Sequence, residues 1–125
     1  MNFDFDDQYW HDSTLESIFL DRRDPGNNDI IEMVIDWYEG HPKSKIIFRG
    51  VCLFKAAMNS GIKVKESIDM AYIAPADDPD LLNFYKIWKG AFDNVKLNCY
   101  IIQTNSTGSE IKILAESVEM VPYSV

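Results

Sequence analysis

At 125 residues the chain has the length of one domain, and 46% hydrophobic residues with three Trp, six Tyr and seven Phe can fill a core, which excludes intrinsic disorder. No apolar run reaches the roughly 18 to 20 residues that cross a bilayer. The formal charge of −8 disfavours nucleic acid and anionic membranes and favours basic partners.

That charge is unevenly spread. Residues 1–40 hold eleven acids against Arg22 and Arg23, residues 41–65 hold six bases and no acid, and residues 66–125 hold nine acids and four lysines. Met1–Trp10 lacks the basic start and apolar stretch of a secretory signal, so the expected compartment is the cytosol. Cys52 and Cys99 fall inside predicted strands and read as buried thiols, with no CxxC or close Cys/His pair to hold zinc.

The first ten residues interleave Phe3, Phe5, Tyr9 and Trp10 with Asp4, Asp6 and Asp7, and form either an N-terminal arm or an edge strand. Ser13–Arg22 reads as a strand, and Asp24–Asp29 (Asp-Pro-Gly-Asn-Asn-Asp) reverses the chain. Ile30–Tyr38 is the next strand, with Ile31, Met33, Ile35 and Trp37 on one face and Ile30, Glu32, Val34, Asp36 and Tyr38 on the other. Lys45–Phe54 is expected as a third strand, with Ile46, Phe48, Cys52 and Phe54 in phase and Gly50 marking a bulge or a close backbone approach. Glu66–Ile73 forms a fourth, with Ile68, Met70 and Tyr72 in phase.

Pro79–Lys89 is the helix. Asp78 caps it, Pro79 suits the first position, Gly90 stops it, and Leu81, Phe84, Tyr85 and Trp88 make an apolar stripe. Val95–Gln103 is a strand with Val95, Leu97, Cys99 and Ile101 on one face. After the turn Asn105–Ser109, Glu110–Val121 returns with Ile111 and Ile113 inward; its phase flips toward Val118 and Met120, which calls for a bulge near Glu116 or Ser117. The fold class is α+β over one domain, 1–125: about six antiparallel strands, mostly in hairpins, and one short helix near 79–89.

Motifs for nucleotide binding, the Ser-hydrolase elbow and zinc proteases are absent. Asp24–Ile35 fails the calcium-loop pattern at its sixth and twelfth positions, and Asp77, Asp78 and Asp80 suit a helix N-terminus instead. Arg49, Lys55, Lys63 and Lys65 make a modest basic strip, which reads as a solvated edge. Trp10-His11-Asp12-Ser13 holds the residue types of a nucleophilic triad, but adjacent residues do not converge as triad members do. Asp12 or Ser13 is expected to hydrogen-bond a turn backbone instead.

The run Trp10-His11-Asp12-Ser13-Thr14-Leu15 resembles the opening of a group of small bacterial proteins in which an aromatic precedes His-Asp-Ser and a strand. Those proteins continue through a Trp-containing second strand, here Asp36-Trp37-Tyr38-Glu39-Gly40, and close with a hairpin like Asn105–Val121. Some members of such groups are proposed immunity proteins of polymorphic-toxin systems. The resemblance implies a toxin-neutralising role and carries over no functional residues.

The leading expectation is a non-enzymatic, cofactor-free protein-binding domain whose acidic face docks a basic partner such as a toxin domain. Asp6, Asp7, Tyr9, Trp10 and Asp12 are the candidate contact residues. One alternative is a small metal- or ligand-dependent enzyme with a cleft near His11, Asp12 and His41. Another is a homodimer that pairs exposed strand edges.

Overall fold

The computed structural model describes residues 3–124; Met1 and Asn2, the first two residues of the expected arm, and Val125 lie outside the described residues. Alternating apolar and polar residues build eight strands: β1 (Thr14–Leu20), β2 (Ile30–Asp36), β3 (Ser44–Arg49), β4 (Leu53–Ala57), β5 (Ile68–Ile73), β6 (Asn98–Thr104), β7 (Glu110–Ala115) and β8 (Ser117–Pro122). They form two four-stranded antiparallel sheets, in the orders β1-β2-β3-β8 and β4-β7-β6-β5. With the single helix α1 (Pro79–Ile87), this is the expected α+β class dominated by antiparallel sheet. No helix among the described residues is long and apolar enough to cross a membrane.

The main core lies between the sheets. β2 shows why: Ile31, Met33 and Ile35 are fully buried, and Trp37 continues the same face. Ile46 and Phe48 join them from β3, and Tyr100, Ile102, Ile111 and Ile113 face them from the second sheet. The outer face of that second sheet is also apolar, through Leu97, Cys99, Ile101 and Leu114, and α1 covers it with Leu81 and Phe84. The result is sheet, sheet and helix in three layers, with β6 buried on both faces.

Two of the six expected strands each divide, which gives eight. The third runs straight on but bends at Gly50, at φ +64°, so that β3 lies in one sheet and β4 in the other. Glu116 makes the matching corner between β7 and β8, so the phase flip there is a change of sheet. β3 pairs with β8 and β4 with β7, so the two ribbons bend together. The Glu116 N–H donates to the Arg49 carbonyl at 3.0 Å, and the flexible Glu116 side chain lies over Gly50 where a Cβ would sit. Glycine is favoured here by its positive φ.

Two further expectations change, and a third narrows. The register slips between Ile68 and Met70, so Met70 turns outward and Ala71 is buried in its place. The helix ends at Ile87, which leaves Trp88 half exposed, while Phe92 packs on Phe84 with ring centroids 5.2 Å apart. Of the two forms expected for the N-terminal segment, the edge strand is not formed among the described residues; the segment is an arm folded onto the core, where a short 3-10 turn, Phe5–Asp7, inserts Phe5.

Asp78 fixes the helix to the sheet. Its Oδ2 accepts from the N–H groups of Asp80 and Leu81, and its Oδ1 accepts from Lys112 Nζ at 2.9 Å. Asp80 takes a second bond from Lys112 at 2.8 Å and one from Lys55 at 3.1 Å. Lys55 sits mid-strand on the β4 edge, where a charge discourages pairing with a second copy. Cys52 is half buried and Cys99 fully buried, and both are free thiols. Burial, aided by the nearby Asp78 carboxylate, pushes the Cys99 thiol up to about 12. A thiol reagent at pH 8 is therefore expected to label Cys52 first and Cys99 only after unfolding; equal rates for both in the native protein would contradict this packing.

Candidate functional site

One end of the sandwich gathers the residues singled out in the sequence. The chain enters from the 3-10 turn, passes Tyr9 and Trp10, turns tightly at His11 and Asp12, and starts β1. The Ser13 N–H closes this turn on the Trp10 carbonyl at 3.0 Å. Asp12 takes φ +67°, and it is the one non-glycine residue with positive φ among the described residues. Asp tolerates this conformation because its short side chain is polar. Its N–H donates to the Ile68 carbonyl at 2.9 Å, which ties the turn to β5.

Ser13 organises the end from below. Its side chain is fully buried; its hydroxyl donates to the Tyr9 carbonyl at 3.2 Å and accepts from the Tyr38 N–H at 3.0 Å. One hydroxyl thus holds the backbone of two tyrosines that are 29 positions apart in the chain. Their rings stand at 88° with centroids 6.2 Å apart, at exposures of 50% for Tyr9 and 59% for Tyr38. The expectation that Ser13 bonds to a turn backbone describes its donor side; the acceptor side reaches across to the end of β2. Ser13→Ala strands the Tyr38 N–H and is expected to cost about 1 to 3 kcal/mol in urea unfolding; a loss near zero would remove the hydroxyl from this role.

Beneath the tyrosines lies an aromatic floor. Trp10 and Trp37 are buried with ring centroids 4.7 Å apart, and the Trp10 indole donates to the Phe5 carbonyl at 2.8 Å. His41 packs edge-on against Trp37 at 5.2 Å and shares a 2.7 Å hydrogen bond with the Gln8 amide oxygen. The buried Trp37 indole N–H has no acceptor among the described residues.

The five candidate contact residues therefore separate. Tyr9, Asp7 and Asp12 are exposed. Asp6 is exposed as well, but its carboxylate accepts the Ile73 N–H at 2.7 Å. Trp10 is 3% exposed and belongs to the core, so it cannot meet a partner directly. The exposed aromatic beside Tyr9 is instead Tyr38, which follows β2 on the face opposite Ile31, Met33, Ile35 and Trp37.

His11 and His41 do not converge. His11 Nε2 lies 3.6 Å from Asp12 Oδ1, while its Nδ1 donates to the Asp69 carbonyl at 3.1 Å, with the Asp69 carboxylate 3.6 Å away. The two carboxylates address opposite ring nitrogens, so they cannot share one ion with the imidazole. No group of three His, Cys, Asp or Glu among the described residues is placed to hold a metal.

A wider concavity, about 730 Å³, lies elsewhere, between the N-terminal segment and β8. Along its walls Arg49 Nε donates to Glu119 at 2.6 Å, and Asn98 donates to the Tyr100 hydroxyl at 3.3 Å. No protein-family model matches this chain, and no curated protein or solved structure matches it.

Around the tyrosine pair the charge is negative. Asp7 and Asp36 each lie two residues before a tyrosine, Glu39 follows Tyr38, and Asp12 and Asp69 flank His11. Lys43, in the connection from β2 to β3, is paired with Glu16 at 2.9 Å. The end presents two exposed aromatic rings on a held backbone, with carboxylates close to them in the chain.

Proposed function

We propose that this chain is a non-enzymatic protein-binding domain that docks a basic protein surface onto its Tyr9–Tyr38 end. In its narrower form it is a cytoplasmic immunity protein that neutralises a bacterial toxin. The observation that carries the reading is the exposed tyrosine pair held from beneath by the buried Ser13 hydroxyl. A backbone already held in place loses little freedom on binding, and tyrosine is enriched among the residues that dominate interface energies.

Charge supports the same reading. Eleven of the twenty acids lie in residues 1–40, the stretch that supplies both tyrosines. Carboxylates around the rings speed the encounter with a basic partner, and the desolvated rings then hold the complex. Inhibition by such a domain needs no chemistry of its own, because covering the toxin's active surface is sufficient.

Co-expression with the protein encoded by the neighbouring gene tests the proposal. A stable complex and protection of the host are expected. Tyr9→Ala or Tyr38→Ala is expected to weaken the complex by about 2 kcal/mol or more, as interface anchors do. If the unaltered chain gives neither complex nor protection, the immunity reading fails. A complex insensitive to both tyrosines places the interface on another face.

A further inference from the structure

The geometry of the tyrosine pair points to its occupant: we infer that the corner between Tyr9 and Tyr38 receives an arginine side chain of the partner. This inference rests on the docking role proposed above and names the group that the site recognises. In an edge-to-face pair one ring aims its positive rim at the negative face of the other. With the planes at 88° and the centroids 6.2 Å apart, the space beside the first ring lies next to the face of the second. A planar cation can stack on one ring and direct its N–H edge at the other. Guanidinium has that shape, its charge is delocalised, and it stacks on aromatic faces; ammonium is a compact, strongly hydrated point charge.

The surroundings fit the same charge. Asp7, Asp12 and Asp36 are exposed, and none forms a pair with a lysine or arginine of this chain among the described residues. Asp7 has no such partner in this chain among the described residues, Asp12 faces only His11 at 3.6 Å and Asp36 acts on Lys43 from beyond ion-pair distance, while Ser13 keeps the two ring-bearing segments in register. Tyr123, by contrast, already has a cation of this chain: Lys43 Nζ lies 5.7 Å from its ring centroid. The Tyr9–Tyr38 corner has no such internal occupant among the described residues.

A fluorescently labelled hexa-arginine peptide, blocked at both ends, is the probe. Its affinity is measured by anisotropy for the unaltered chain, for the double variants Tyr9→Leu/Tyr38→Leu and Tyr9→Phe/Tyr38→Phe, and for the triple variant Asp7→Asn/Asp12→Asn/Asp36→Asn. All the substituted positions are exposed, and far-UV circular dichroism checks the fold of each variant. The Phe pair keeps the corner and is expected to bind like the unaltered chain. The Leu pair is expected to bind about three- to fivefold more weakly. Proton NMR is expected to show the arginine δ-methylene signals moving upfield with the unaltered chain and the Phe pair only. If the Leu pair binds like the unaltered chain while the Asn variant loses affinity, the arginine corner is wrong and the acidic docking surface stands. If the unaltered chain does not bind the peptide, both are wrong.

Discussion

Phe5→Ala is expected to destabilise the protein by about 3 to 5 kcal/mol, the cost of removing a fully buried aromatic ring. Phe5 is 1% exposed. Its ring centroid lies 4.8 Å from Trp10, 5.0 Å from Tyr100 and 6.1 Å from Phe48, so it touches rings that belong to both sheets and to the N-terminal segment. Its carbonyl accepts the Trp10 indole, and the next residue, Asp6, caps the Ile73 N–H on the β5 edge. A typical domain has only about 5 to 15 kcal/mol of net stability, so this loss is a large fraction of the whole. Urea unfolding is expected to show a much lower midpoint with an unchanged slope. A change below about 1 kcal/mol, the scale of ordinary surface substitutions, would mean that the segment is an appendage and that the floor under Tyr9 is not part of the core.

Asp78→Ala is expected to cost about 2 to 3 kcal/mol, because it removes a helix cap and half of the Lys112 pairing together. Burial by itself would raise the Asp78 carboxyl; the Lys112 ammonium and the N–H groups of Leu81 and Asp80 outweigh it and hold the carboxyl below its ordinary range. Asp80 is also lowered, by its bonds to Lys112 and Lys55. Burial opposes the charge on Lys112 as well, yet Asp80 and Asp78 raise it above its usual value. The signs fix two pH windows. Carboxylates lowered by folding stabilise the protein fully above their unfolded value of about 4, and that stability is lost as the pH falls through the folded values. A raised lysine stabilises below its unfolded value of about 10.4, and that contribution is lost as the pH rises past its folded value. Asp78→Asn keeps an acceptor for the cap but not the charge. Its stability is expected to fall less than that of the unaltered protein between pH 4 and pH 2 (roughly, given the carboxylate range). Parallel acid curves for the two would show that the Lys112 pairing contributes nothing.

The parts of the fold that were legible in the sequence are those where local pattern and burial agree. The alternation of Ile31, Met33, Ile35 and Trp37 gave β2 and its inward face. Asp78-Pro79 gave the helix start, because a cap and a first-turn proline act within three residues. The strand divisions at Gly50 and Glu116 were visible only as irregularities: a mid-strand glycine and a slipped phase look the same whether a strand bulges or passes into a second sheet. Met70 was misplaced by a register shift that depends on its partner strand.

The site was half legible for a related reason. Aromatics among acids mark core and interface alike, since both bury rings, and only the fold distinguishes Trp10, inside, from Tyr9, outside. The pairing of Tyr9 with Tyr38 is long-range. It depends on Ser13 reaching from the start of β1 to the end of β2, and no local pattern reports that contact.

The proposed docking surface is the Tyr9–Tyr38 end. A chemical-shift map of the isotope-labelled chain titrated with the blocked hexa-arginine peptide tests it. The perturbed amides are expected to cluster at Tyr9, His11, Asp12, Tyr38 and Asp69. Perturbations centred instead on Asp21–Asp29 or on the helix start at Asp77–Asp80, the other acidic stretches, would contradict it.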